Sequence, residues 1–223
     1  MWYKTFLPKL HEIVKPNNYV EIGIRHGYSL SISPSANKIA IDPGYGKSDM
    51  QFDVQNTTFF KMTSDDFFTK YNLNNYFKNS FDLGYIDGMH LFEYALRDFI
   101  NLEKASNKSS IIIVDDVIPR TEQEANRKPT GVAWTGDVWK IIYCLTEYRQ
   151  DLASQMILAK SEPTGCLIIV SPDNKNSALV DNYDNIINQY LSDDYPVMPD
   201  EKFQTIAVSA EKALDILSKR FLS

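Results

Sequence analysis

The stretch Val20-Glu-Ile-Gly-Ile-Arg-His-Gly-Tyr-Ser29 decides how the rest of the chain is read. Tyr19–Gly23 reads as a buried strand that stops at a glycine, and Gly27 then lets the chain swing into a helix. Glycines at these two points allow a sharp turn and let a ligand press against bare backbone. The spacing is E-x-G-x-x-x-G-x-S, whereas a dinucleotide site wants G-x-G-x-x-G with helix amides facing a pyrophosphate. The missing third glycine disfavours a dehydrogenase.

Further strands follow at Lys38–Asp42, Thr58–Met62, Phe81–Asp87 and Ile111–Val114. Four β-branched residues in a row at Ile111-Ile-Ile-Val114 suit a sheet covered on both faces. Helical spacing occupies residues 2–14, Leu91–Ala105, Val138–Tyr148 and Phe203–Phe221. Met156–Ala159 and Leu167–Val170 flank Glu162-Pro-Thr-Gly165, which reads as a hairpin turn. Alternating strands and helices imply an α/β fold, a doubly wound and mostly parallel sheet with a C-terminal antiparallel hairpin strand. One domain over 1–223 is expected, with an N-terminal helix (1–17), a core (18–172) and a C-terminal helical extension (173–223).

Composition narrows the function. The 223 residues are 43% hydrophobic and carry a net charge of −6. No cluster of Lys and Arg is present, so nucleic-acid and membrane-surface partners are disfavoured. The two cysteines, Cys144 and Cys166, sit in apolar stretches and read as buried, reduced thiols. With no signal-like or membrane-length apolar run, a cytoplasmic protein is expected.

Glu21 at the head of the glycine motif suits S-adenosylmethionine (SAM), which lacks phosphate but carries an ammonium, a sulfonium and a ribose diol. Asp42 ends the second strand, 19 residues after Gly23, where such folds place an acid for both ribose hydroxyls. The plainer alternative is that Asp42-Pro-Gly44 is an Asx turn. Arg25 and His26 read as exposed turn residues.

Glu21–Ser29, Asp42, Ile86-Asp-Gly-Met-His90 and Val114-Asp-Asp116 together resemble the class I SAM-dependent O-methyltransferases. The resemblance is narrower to their metal-dependent group, with its catechol-type and sugar enzymes, and covers about residues 18–172. It implies a Rossmann-like fold, cofactor contacts from Glu21, Gly23, Gly27, Ser29, Asp42 and Asp87, and a divalent cation held by Asp87, Asp115 and Asp116. The position of His90 is that of the general base, a lysine in catechol-type enzymes and a histidine in some sugar enzymes. Ser64-Asp65 stands where the catechol-type enzymes have an adenine-contacting Ser-Gln pair, so the glutamine is replaced.

Elementary chemistry wants the same residues. Strands four and five are neighbours, so Asp87 and Asp115 emerge side by side at the carboxyl edge. Clustered carboxylates repel unless a cation neutralises them, and all-oxygen ligation favours Mg²⁺, Mn²⁺ or Ca²⁺ over zinc. Such a cation grips two neighbouring hydroxyls and acidifies one, and His90 takes the proton. The 18-residue stretch Pro119–Gly136 reads as a lid or binding loop, with Trp134 available to stack on a ring. The expectation is a Mg²⁺-dependent O-methyltransferase of a sugar or other vicinal-diol small molecule. A metal-independent methyltransferase and a non-catalytic SAM- or nucleotide-binding module are the alternatives, and a homo-oligomer stays open.

Overall fold

The computed structural model describes residues 5–129 and 133–221. Trp2 and Tyr3, placed by the sequence at the start of the first helix, lie outside the described residues. So do residues 130–132 of the long loop.

Strand β1 (Asn18–Ile22) is buried along its whole length and runs parallel to β2 (Asn37–Ile41) on one side and β4 (Leu83–Ile86) on the other. Beyond β2 lies β3 (Thr57–Phe60), and beyond β4 lies β5 (Ile111–Asp115), both parallel. The expected hairpin is present. Strand β7 (Cys166–Val170) pairs antiparallel with β5, and β6 (Met156–Lys160) pairs antiparallel with β7. A short eighth strand, β8 (Val208–Ser209), runs parallel to β6, giving the order β3-β2-β1-β4-β5-β7-β6-β8.

Helices cover both faces. Helices α1 (Phe6–Val14) and α2 (Tyr28–Ile32) lie on one face. The other carries α3 (Ser64–Lys70), α4 (Phe92–Ala105), α6 (Lys140–Tyr148) and α8 (Tyr183–Tyr190). Pleating sends alternate residues of each strand to opposite faces. Ile111 and Ile113 therefore pack with Tyr19 and Tyr85 on the α1 face, while Ile112 and Val114 pack with Phe92 and Leu96 on the α4 face.

The sequence departs from this picture at three places. Helical spacing predicts one helix over Phe203–Phe221, but the structure has α9 (Glu201–Ile206), strand β8 and α10 (Ala210–Phe221). Ala207 is extended at φ −74°, ψ 129°, and β8 covers backbone groups that β6 would otherwise leave at a sheet edge. Helix α10 then buries Ala213 and Leu217 and packs against α1. The polar stretch after β7 also folds, into α7 (Ala178–Asp181) and α8, because Ile186 and Tyr190 give α8 an apolar side. Within the long loop, Thr121 caps the short helix α5 (Glu122–Ala125) by accepting from the Glu124 amide. Both cysteines are free thiols in the core.

Candidate active site at the carboxyl edge of the sheet

Main-chain bonds continue the strand register past the last paired residues and set the site. The amide of Gly23 donates to Ile41, that of Asp42 to Phe60 and that of Asp87 to Ile22. Gly23, Asp42 and Asp87 therefore stand in one row at the carboxyl ends of β1, β2 and β4. Asp115 ends β5 beside them, since Ile86 pairs with Val114.

Gly23 has φ +82°, and a Cβ placed on it would lie 2.0 Å from the Asp87 carbonyl oxygen. No other residue fits there, because the turn after β4 presses directly on this backbone. Gly27, also at φ +82°, opens α2, and its Cβ would meet the flexible end of Met50 at 2.5 Å.

Around the turn the expected cofactor residues are already paired. Glu21 is fully buried and accepts from the Tyr19 hydroxyl at 2.9 Å and from Ser29. Burial raises its pKa to about 8, against the opposing pull of those two bonds. Asp42 accepts four backbone amides: Ile24 and Arg25 on one oxygen, Gly44 and Tyr45 on the other. It therefore forms the Asx turn and also fastens the glycine loop to the end of β2. Ser64 begins α3 with Thr63 as its cap. Asp65 makes a two-pronged ion pair with Arg97 of α4 at 2.8 and 2.7 Å.

The acid cluster differs from the expected trio. Asp87, His90 and Asp116 bring ligand atoms within 4.8 Å of one another. His90 Nε2 is 3.2 Å from Asp87 Oδ1, and its Nδ1 is 3.1 Å from Asp116 Oδ2. Asp115 turns aside, accepting the Tyr85 hydroxyl at 2.5 Å. The pleat explains this: Asp115 shares a parity with Ile111 and Ile113, so it faces Tyr85. Asp116 leaves the strand at φ +60° and swings back, its other oxygen taking the Thr164 hydroxyl. His90 is likewise left-handed, at φ +57°. Two non-glycine residues held in that sparsely populated region, each at a cost of about 1–3 kcal/mol, mark a place where geometry is enforced.

Electrostatics follow from crowding. Burial pushes Asp115 well above the usual carboxylate range, with Asp116 and Asp87 adding to it. Burial and the nearby Asp87 charge raise Asp116 to about 6. Burial acts to lower the His90 pKa, but the Asp87 hydrogen bond and the Asp116 charge outweigh it and carry it to about 10.

The end of the long loop, from Trp134 to Gly136, packs against this cluster. The Trp134 carbonyl lies 2.8 Å from His90 Nδ1, and the indole stacks on the imidazole with centroids 5.3 Å apart. Gly136, at φ +58°, packs so tightly that a Cβ would sit 1.7 Å from the His90 carbonyl oxygen. Asp137 follows Gly136 directly and is buried. It accepts the Phe92 amide at the start of α4 and pairs with Arg127 and Lys140, fixing loop and helix together. Beneath the cluster lies a cavity of about 10 Å³ lined by Asp87, Gly88, His90, Asp98, Asp115 and Val138, among others.

Residues 20–117 match the sequence profile of a methyltransferase-domain family. The matched stretch runs from β1 to just past β5 and holds the glycine turn, Asp42 and the acid cluster. The fold agrees. An O-methyltransferase from Bacillus cereus in complex with SAH superposes with a TM-score of 0.53 at 16% identity, over 74% of this chain and 79% of that one. Cofactor-bound Rv0187 from MTB superposes with a TM-score of 0.54 at 14% identity, over 75% of this chain and 78% of its own. No curated protein sequence matches the chain significantly. Among the described residues no helix is long and apolar enough to cross a membrane.

Sequence reasoning missed three features of this site: Thr164 on Asp116, the Trp134 carbonyl on His90, and Asp98 in the cavity lining. The first two depend on loops meeting in space and leave no local trace. Asp98 did leave one, since it stands three residues after Ala95 and four before Leu102, on the apolar stripe of α4 where a lone charge is out of place.

Proposed function

We propose that the protein is a SAM-dependent O-methyltransferase that acts with a divalent cation on a hydroxyl of a sugar or other vicinal-diol small molecule. The observation that carries this reading is the Asp87–His90–Asp116 cluster, set at the carboxyl edge beside the glycine turn of a methyltransferase domain. The residues present fit both groups. Gly23 and Gly27 hold the left-handed turns that expose backbone to a ligand, and Asp42 lies at the end of β2. The three clustered side chains offer two carboxylates and an imidazole.

Once bound, SAM supplies the methyl group, and a cation supplies the positive charge that draws an acceptor hydroxyl toward ionisation. The chain does the rest. Asp87 and Asp116 would hold the cation, with Thr164 and the left-handed backbone fixing the aim of Asp116. Asp115 is turned away from them and holds the Tyr85 hydroxyl. The donor set contains a nitrogen, so it suits Mn²⁺ and other imidazole-tolerant ions as well as Mg²⁺. His90 either completes the ligand set, as the cluster geometry favours, or takes the acceptor proton at Nε2. Trp134 walls the site and excludes water from it. The sugar preference rests on the resemblance, in which histidine replaces lysine at the position of His90.

Two measurements test the reading. Calorimetry with SAH should give micromolar binding, and NAD should give none. Methyl transfer to vicinal-diol acceptors should vanish in EDTA and return with Mg²⁺ or Mn²⁺, whereas full activity in EDTA would leave a metal-independent enzyme. His90→Ala separates the two roles of that residue: a ligand's loss abolishes Mn²⁺ binding, while a base's loss leaves Mn²⁺ binding intact and lowers turnover by ~10²–10⁴-fold.

A further inference from the structure

Asp98 is a buried acid at the site, 2% exposed on the inner stripe of α4. Its carboxyl receives the Ser64 hydroxyl, yet Oδ1 has no hydrogen-bond partner among the described residues. A carboxylate oxygen sealed away without a donor is unfavourable in any folded protein, so Oδ1 awaits one. What it faces is informative. Asp98 lines the cavity of about 10 Å³ together with Asp87, Gly88 and His90. Its other oxygen lies 3.6 Å from where a Gly88 side chain would begin. The same Asp87–Gly88 peptide is pressed by Gly23 of the glycine turn. Asp98 thus lies beside the Asp87–Gly88 turn, close to where the cofactor is expected, with Ser64 at the start of α3 as its partner. A space of that volume admits about one water-sized group. An amino nitrogen has this size and brings the donor that Oδ1 lacks, whereas a ring or a sugar does not enter.

We propose that Asp98 is a further binding residue of the cofactor site, its Oδ1 accepting a hydrogen bond from an amino N–H of bound SAM. This rests on the SAM reading above. SAM carries two amino groups, one on the adenine and one on the amino-acid tail, and both share the chemistry that Oδ1 needs.

The test is calorimetry on the full chain, wild type and Asp98→Asn, with three ligands: SAH, its inosine analogue without the base amine, and 5′-methylthioadenosine without the amino-acid tail. Asp98→Asn keeps the shape but removes the charge. It should weaken SAH at least tenfold, while the analogue lacking the contacted amine binds both proteins alike and so names the amine. Equal SAH affinity in the two proteins overturns the proposal. So does an equal loss for all three ligands, which is the mark of a damaged fold. If the wild type binds none of the three, the SAM reading itself has failed. Should Asp98→Asn not fold, a crystal structure of the wild type with SAH decides: an amino nitrogen at hydrogen-bond distance from Oδ1 supports the assignment, and a water there refutes it.

Discussion

His11 offers a sharp test of the packing on the α1 face. Both ring nitrogens are buried without partners among the described residues, the side chain is 2% exposed, and the ring meets Tyr19 edge-on at 5.3 Å. Burial, with a smaller push from Lys38, lowers its pKa from 6.5 to about 4. The unfolded chain therefore binds a proton that the native state refuses between those two pH values. The stability linked to this group is complete above pH 6.5 and is lost as pH falls toward 4. At ~1.4 kcal/mol per tenfold change in proton affinity, the loss amounts to about 3 kcal/mol. Other groups titrate in the same window with the opposite sign. Glu21, Asp98 and Asp116 have raised pKa values, so each favours folding at low pH and loses that contribution as pH rises. The comparison must therefore be made between wild type and His11→Phe, by urea unfolding at a series of pH values. Relative to wild type, His11→Phe should gain about 3 kcal/mol between pH 7 and pH 4. If the two curves run parallel across that range, His11 is not held neutral by burial and the packing described for it is wrong.

Other outcomes follow from the site. Gly23→Ala should cost several kcal/mol of stability or abolish SAH binding, because a left-handed alanine costs ~1–2 kcal/mol before the clash with Asp87 is counted; unchanged thermal melting and SAH affinity would contradict the close approach. Asp42→Ala removes an acceptor of four amides as well as any ribose contact, so Asp42→Asn is the cleaner probe. It should weaken SAH by about 1.5–3 kcal/mol if the ribose uses the charge, and calorimetry showing no change would leave Asp42 as a turn former. Thr164→Val should lower Mn²⁺ affinity roughly tenfold, as supporting contacts to metal ligands commonly do, while leaving SAH binding intact; equal Mn²⁺ titrations would remove Thr164 from the site.

The sheet was legible because its strands are written in runs that only a covered parallel sheet explains, with glycines and acids at their ends. Gly23, Asp42 and Asp87 stand where the spacing put them. Asp115 and Asp116 show the limit of such reading. The sequence says that two carboxylates follow β5, but the pleat and one left-handed residue decide which of them faces the cluster, and neither is visible in the letters. His90 reached the same cluster because the turn after β4 bends through a left-handed residue. The tail was misjudged for a different reason: two residues of β8 are too few to interrupt a helical period, and they form a strand only because β6 offers an edge.

The indole of Trp134 lies flat on the imidazole of His90, while Trp139 is enclosed in the core. An imidazolium in contact with an indole quenches its emission, so of these two rings Trp134 is expected to be the dimmer. Lifting the loop separates the two rings and is expected to raise the emission of Trp134. With Trp2 and Trp139 replaced by phenylalanine, intrinsic emission is therefore expected to report how the loop sits over His90, with no label and no knowledge of the acceptor.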